Sequence, residues 1–142
     1  MPGKTNQPEE TWILNTDGAA RGNPGPAGAG AVLRNAAGEI VTEVSESLGV
    51  ATNNEAEYMG LIRGLEAALE QDCQRLKIRL DSELVVRQIK GEYRVKNERL
   101  KPLYDRAMGL LRRFSAYDIF HVRRAETADA DKLAARAADR CR

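Results

Sequence analysis

Two cysteines and one histidine are all the thiol and imidazole this chain offers to a zinc site or a disulfide framework. Cys73 and Cys141 are too few and too far apart for a zinc site, so the expectation is two reduced thiols, with a single bridge left open. Long apolar runs are missing too: nothing approaches the roughly 20 residues needed to span a bilayer. The first ten residues are polar, with two prolines and no hydrophobic stretch, so no signal peptide is expected and the cytoplasm is the expected location. An excess of one charge is also absent. The 22 basic and 21 acidic residues leave a formal net charge of +1, whereas nucleic-acid-binding domains tend to be basic. That balance hides a local excess, because Arg87, Lys90, Arg94, Lys96, Arg99 and Lys101 face only Glu92 and Glu98 in the same stretch. Such a run either neutralises several phosphates or is a solvated connector between helices, and charge alone leaves both open.

What is present reads as one globular domain over residues 11–142 behind a polar tail at 1–10, since 142 residues suffice for one core but not two. Trp12 to Thr16 predicts a short strand, Gly28 to Leu33 a second, and Glu39 to Leu48 a third whose uneven alternation fits a bulge. Ala36-Ala37-Gly38 supplies the hairpin signal between the last two. A helix follows from about Asn54 to Glu70, with Gly60 and Gly64 on its apolar face, where a backbone can lie close to a sheet. Leu76, Ile78 and Leu80 alternate with Lys77 and Arg79 as a half-buried strand. Helices over Ser82–Lys90 and Leu100–Leu111, a strand over Tyr117–Val122 and a terminal helix from about Ala128 to Cys141 complete the order. This β-β-β-α-β-α-α-β-α order implies an α/β fold: a mixed five-stranded sheet, three antiparallel strands followed by parallel ones, flanked by helices.

Four carboxylates carry the chemistry. Asp17 stands where the first strand is expected to end, before the glycine- and proline-rich run Gly22-Asn23-Pro24-Gly25-Pro26. Asp81 ends the fourth strand, which brings it beside Asp17 if the two strands are neighbours, although taken by itself a helix N-cap is the favoured explanation. Glu57 falls in phase with Gly60, Leu61, Gly64 and Leu65, whereas Glu55 falls with Met59, Ile62 and Glu66. A carboxylate heading an apolar face must be paired, protonated or metal-bound, and the preceding Thr52, Asn53 and Asn54 supply no cation. Asp131 lies in the first turn of the terminal helix, where the helix dipole alone would favour it. Held together without cations, four carboxylates repel, and some must keep a proton. Hard divalent cations with oxygen ligands relieve that cost. Two such ions roughly 4 Å apart activate a water and stabilise the leaving oxygen of a phosphodiester. Carboxylate ligands suit magnesium or manganese.

The chain resembles type 1 ribonuclease H from about Trp12 to Ala138. The resemblance rests on Thr16-Asp17-Gly18 through Pro26, Ala51-Thr52-Asn53-Asn54-Glu55-Ala56-Glu57, Asp81-Ser82, Val95-Lys96-Asn97 and Ala130-Asp131-Lys132-Leu133-Ala134, in order and at compatible spacing. It implies hydrolysis of the RNA strand of RNA/DNA hybrids by two metal ions, leaving 5′-phosphate and 3′-hydroxyl ends. By the same resemblance Asp17, Glu57, Asp81 and Asp131 are the catalytic set. The metal site takes in Gly18 as well, with two Mg2+ expected when substrate is bound and Mn2+ as a substitute. Asn23, Thr52, Asn53, Asn54 and Asn97 are implied substrate residues, Thr52 and Asn97 at a DNA-strand phosphate and Asn53-Asn54 along the minor groove. Helix capping by Asn53 or Asn54 is expected alongside that role. A monomer acting on a hybrid, with no membrane partner, is the expectation. The chain departs from the family in a short connector holding only Tyr93, in Thr127 where many members have asparagine, and in lacking a loop histidine. His121 reads as a strand residue, and neither Arg124 nor Glu126 is assigned a catalytic role. Another nuclease of the same fold class and a non-catalytic hybrid-binding module are the competing readings; the intact carboxylate set and the Asp-Gly…Asn-Pro-Gly-Pro turn favour the first.

Overall fold

Strand β1 (Trp12–Ala20) and strand β2 (Gly25–Arg34) form an antiparallel hairpin, in register from Ile13 opposite Arg34 to Ala20 opposite Ala27. The Arg21 backbone N–H donates to the Pro26 carbonyl at 2.7 Å across the turn, where Gly22 takes a φ of +110°, a region that favours glycine. Strand β3 (Ile40–Ala51) continues the meander against β2. Its register skips Val41 and Leu48, so the expected bulge occurs twice. This computed structural model describes residues 10–140. The polar tail apart from Glu10, and Cys141 with its possible bridge to Cys73, lie outside the described residues.

Helix α1 (Asn53–Glu70) crosses over to strand β4 (Arg75–Leu80), which pairs parallel to β1 from Trp12 opposite Leu76 to Asn15 opposite Arg79. Helices α2 (Glu83–Ile89) and α3 (Lys101–Leu111) lead to strand β5 (Ala116–His121), parallel to β4. A 3-10 turn at Arg124–Thr127 then feeds helix α4 (Ala128–Arg140). The sheet order is β3-β2-β1-β4-β5, the mixed five-stranded arrangement expected from the sequence. His121 closes β5, as read. Among the described residues no helix is long and apolar enough to cross a membrane.

Asp17 does not end its strand. β1 runs on to Ala20 because β2 supplies hydrogen-bonding partners as far as Ala27; what stops after Asn15 is the pairing with β4. Asp17 is therefore mid-strand toward β2 and at the mouth of the β1/β4 crevice, at the carboxyl ends of two parallel strands where the chain's winding reverses.

Small residues set how closely the helices approach this sheet. A Cβ on Gly28 would fall on the Ala134 carbonyl oxygen, and one on Gly30 on that of Ala130, so α4 lies directly on the backbone of β2. Ala130, Ala134, Ala137 and Ala138 are fully buried in that contact. Ser45 and Ser47 of β3 donate their hydroxyls to the Leu133 and Ala137 carbonyls at 2.8 and 2.7 Å. On the opposite face α1 meets β1 through Gly18, Gly60 and Gly64. The core there joins Leu14, Leu33, Leu61, Ile62, Leu65 and Ile78, none more than 1% exposed, and removing that apolar surface from water is the main favourable term in folding.

Candidate active site

The local capping chemistry decides which carboxylates are free. Thr52, not Asn53 or Asn54, is the N-cap of α1: its hydroxyl accepts from the Glu55 backbone N–H at 3.2 Å, while Glu55 accepts from the Thr52 N–H at 2.8 Å. This reciprocal box corrects the capping role expected of the two asparagines. At α2 the cap is Ser82, whose hydroxyl accepts from the Val85 N–H at 3.2 Å. Asp81 is thereby relieved of capping and left at the end of β4.

Asp17, Glu57 and Asp81 bring one carboxylate oxygen each to within 4.8 Å of one another. Asp17 is 4% exposed and accepts from the Gly18 N–H at 2.9 Å. Burial, then the Asp131 side chain and the Asp81 charge, pushes its carboxyl up to about 7. Glu57 is likewise raised well above the ordinary carboxylate range, by burial first and then by the charges of Asp17 and Asp81. The Glu57 Oε1 atom is buried with no hydrogen-bond partner among the described residues. Leaving such an acceptor unsatisfied is costly, and oxygen-loving divalent cations are the groups that would satisfy it.

Asp131 stands beside this trio rather than within it. It lines the same cavity, of about 260 Å³, with Asp17, Gly18, Asn53, Glu57 and Asp81. Arg124 lines it too, with its Nη2 3.5 Å from Asp131 Oδ2. Nothing local marks an arginine seven residues before an aspartate as its partner; the 3-10 turn is what brings Arg124 and Asp131 together.

The expected substrate residues divide between two cavities. Asn23, Thr52, Asn54 and Asn97 line one of about 230 Å³, and Asn53 lines the carboxylate cavity instead. The Asn53 N–H donates to Asn23 Oδ1 at 3.0 Å and so links the two. Asn97 Oδ1 accepts from the Arg99 and Leu100 N–H groups at 2.7 and 3.2 Å. Both side-chain carbonyls are thus used internally, and the amide nitrogens remain as donors. Arg99, which sequence reasoning noted only as one charge in a run, lines the second cavity and is held by Glu55 at 3.2 Å.

A family model described as reverse transcriptase-like matches residues 15–137. The solved N-terminal RNase H domain of a Mycobacterium tuberculosis protein superimposes with a TM-score of 0.88 at 41% identity, covering 91% of this chain and 99% of that one. The chain belongs to the reverse transcriptase-like, ribonuclease H family. Within that family it is 45% identical over 123 residues to a ribonuclease HI of Halobacterium salinarum, covering 87% of this chain and 62% of the relative. It is 41% identical over 128 residues to the whole M. tuberculosis bifunctional protein, but spans only 35% of that relative's length. The LC11-RNase H1 structure, solved in complex with an RNA/DNA hybrid, gives a TM-score of 0.84 at 40% identity and covers 91% of this chain and 97% of that one.

Proposed function

We propose that the chain is an endoribonuclease that hydrolyses the RNA strand of RNA/DNA hybrids, leaving 5′-phosphate and 3′-hydroxyl ends. The observation that carries this is the crevice itself: three carboxylates converging within 4.8 Å, one of them with an orphaned buried oxygen, in a chain whose structural neighbour was solved on a hybrid.

Asp17, Glu57 and Asp81 would hold divalent ions, with Asp131 completing the set from α4 and Mg2+ as the expected ion. When bound, such ions neutralise the cluster, lower the pKa of a water and act as Lewis acids toward the scissile phosphate. The chain's own residues do the rest. Gly18 keeps α1 against β1, so that Glu57 is delivered to Asp17. Asn53 sits at the junction of the two cavities, where an amide suits a sugar 2′-hydroxyl or a phosphate oxygen rather than a base edge. Thr52 and Asn97, with Asn23 and Asn54, form the neighbouring cavity that suits a phosphate of the DNA strand. A hybrid gripped there lies with its RNA strand over the carboxylates.

The test presents one labelled RNA strand alone, paired with RNA, or paired with DNA, each with Mg2+, Mn2+ or chelator. Internal, metal-dependent cleavage of the hybrid alone supports the proposal. Cutting of single strands from a free end would move the protein to another nuclease class, and binding without cleavage would make it a hybrid-binding module.

A further inference from the structure

A second polar layer lies beneath the carboxylates, and its members share one spacing. Asn15, Arg79 and Asp129 each stand two residues before a site carboxylate: Asp17, Asp81 and Asp131. On β1, residues two apart share a sheet face, so Asn15 lies on the same side as Asp17. Asn15 is only 2% exposed, yet all its polar atoms are engaged. Its Nδ2 donates to Asp129 Oδ1 at 3.2 Å and to the Glu126 carbonyl at 3.3 Å, and its Oδ1 accepts from Arg79 Nε at 3.0 Å. Arg79 Nη2 also donates to the Glu126 carbonyl, at 3.0 Å. From β2, Arg34 Nη1 donates to Asp129 Oδ2 at 2.7 Å. Asp129 finally accepts from the Ala130 N–H at 2.7 Å, at the start of α4.

Three strands therefore converge on one short segment. The 3-10 turn is clamped through the Glu126 carbonyl, and the first turn of α4 through Asp129. That segment carries Arg124 and Asp131, the two groups of the cavity that do not come from β1, β4 or α1. We infer that Asn15, Arg79 and Asp129, with Arg34, are positioning residues that hold Asp131 and Arg124 against the Asp17–Glu57–Asp81 trio. The inference rests on the proposed function only in assigning Asp131 to the working site; the clamp itself is geometric. Partners behind a metal ligand commonly act in this way, fixing its direction without touching the ion.

Two variants on different elements test it. Asp129→Ala removes the acceptor shared by Asn15 and Arg34, and Arg79→Met removes the donors to Asn15 and Glu126 from a half-buried position. Hydrogen exchange of the full chain without metal should rise at residues 124–131 in both variants, with β1 and β4 protected as in the parent. In the hybrid assay kcat should fall, KM should stay within about twofold, and the Mg2+ concentration for half-maximal cleavage should rise about tenfold. Asp129→Asn, which keeps an acceptor for Asn15 and the Ala130 N–H, should recover part of that shift. Loss of thermal stability with unchanged exchange at 124–131 and an unchanged Mg2+ half-point would overturn the inference. A parent that fails to cleave hybrids would overturn the functional reading instead, while the exchange measurement still decides the clamp.

Discussion

The carbonyl oxygen of Asp17 occupies the place a Cβ would take on Gly60. β1 and α1 meet backbone to backbone at the site, and that closeness is what brings Glu57, one turn before Gly60, beside Asp17. Alanine normally stabilises a helix interior by about 1 kcal/mol relative to glycine. At Gly60 the sign should reverse. Gly60→Ala must push α1 off the strand, and overpacking of this kind costs about 1–3 kcal/mol. Gly109 of α3, where a Cβ would meet nothing within 4 Å, is the internal control and should gain from the same substitution. Urea denaturation of both variants checks the contrast; equal effects would refute the close-contact account.

The carboxylate cluster predicts a pH dependence for the metal-free protein. Asp17 is raised from 3.8 to about 7, and Glu57 moves in the same direction. Groups with raised carboxyl pKa values favour folding in their protonated form, so that contribution is complete below pH 4 and is lost as pH rises through about 7. Three other shifted carboxyls act in the opposite sense. The Thr52 N–H and Arg99 hold Glu55 below its ordinary 4.5, and against the upward push of burial Arg63 and Arg106 do the same for Glu66, as Arg34 and Asn15 do for Asp129. Their contribution is complete above pH 4.5 and fades only in acid, which leaves pH 5–8 to report Asp17 and Glu57. In chelator the melting temperature should fall across that window, and saturating Mg2+ should reverse the fall, because the ion binds only the folded cluster. A flat or rising profile in chelator would count against a preassembled cluster.

Removing the charge at Glu57 separates stability from activity. Glu57→Gln relieves the repulsion with Asp17 and Asp81, so the metal-free variant should melt higher than the parent at pH 8 while losing hybrid cleavage. Thermal denaturation in chelator, paired with the cleavage assay, reads both effects.

The second cavity predicts a salt-dependent effect at Arg99. Its guanidinium lines the cavity with Asn23, Thr52 and Asn97 and is tethered by Glu55. Arg99→Ala should weaken hybrid binding by a similar factor whatever the sequence, and lower the slope of log affinity against log salt by about 1. An unchanged slope would place Arg99 off the phosphate path.

The sequence made the strand and helix order legible because periodicity and the glycine-rich turns are local. That Asp17, Glu57, Asp81 and Asp131 face one cavity was legible for a related reason, since each sits in a short motif, the last three near an element end. The extension of β1 to Ala20 was not, because its cause is the partner strand and not the residues Gly18 to Ala20. Nor was the choice of Thr52 over Asn53 and Asn54 as the cap, three adjacent residues that all suit the role. Arg124 and the Asn15–Arg79–Asp129 layer were hidden for a third reason. Their partners lie 7 to 114 residues away in the chain, and only the folded sheet brings them within hydrogen-bonding distance.

The measurement that bears most directly on the central claim compares the parent with Asp17→Asn on an end-labelled RNA/DNA hybrid in Mg2+, after circular dichroism has shown both to be folded. The substitution removes a proposed metal ligand without adding volume. Internal cleavage by the parent and none by the variant is the predicted result. Substantial cleavage by Asp17→Asn, or cleavage by the parent that persists in chelator, would contradict it.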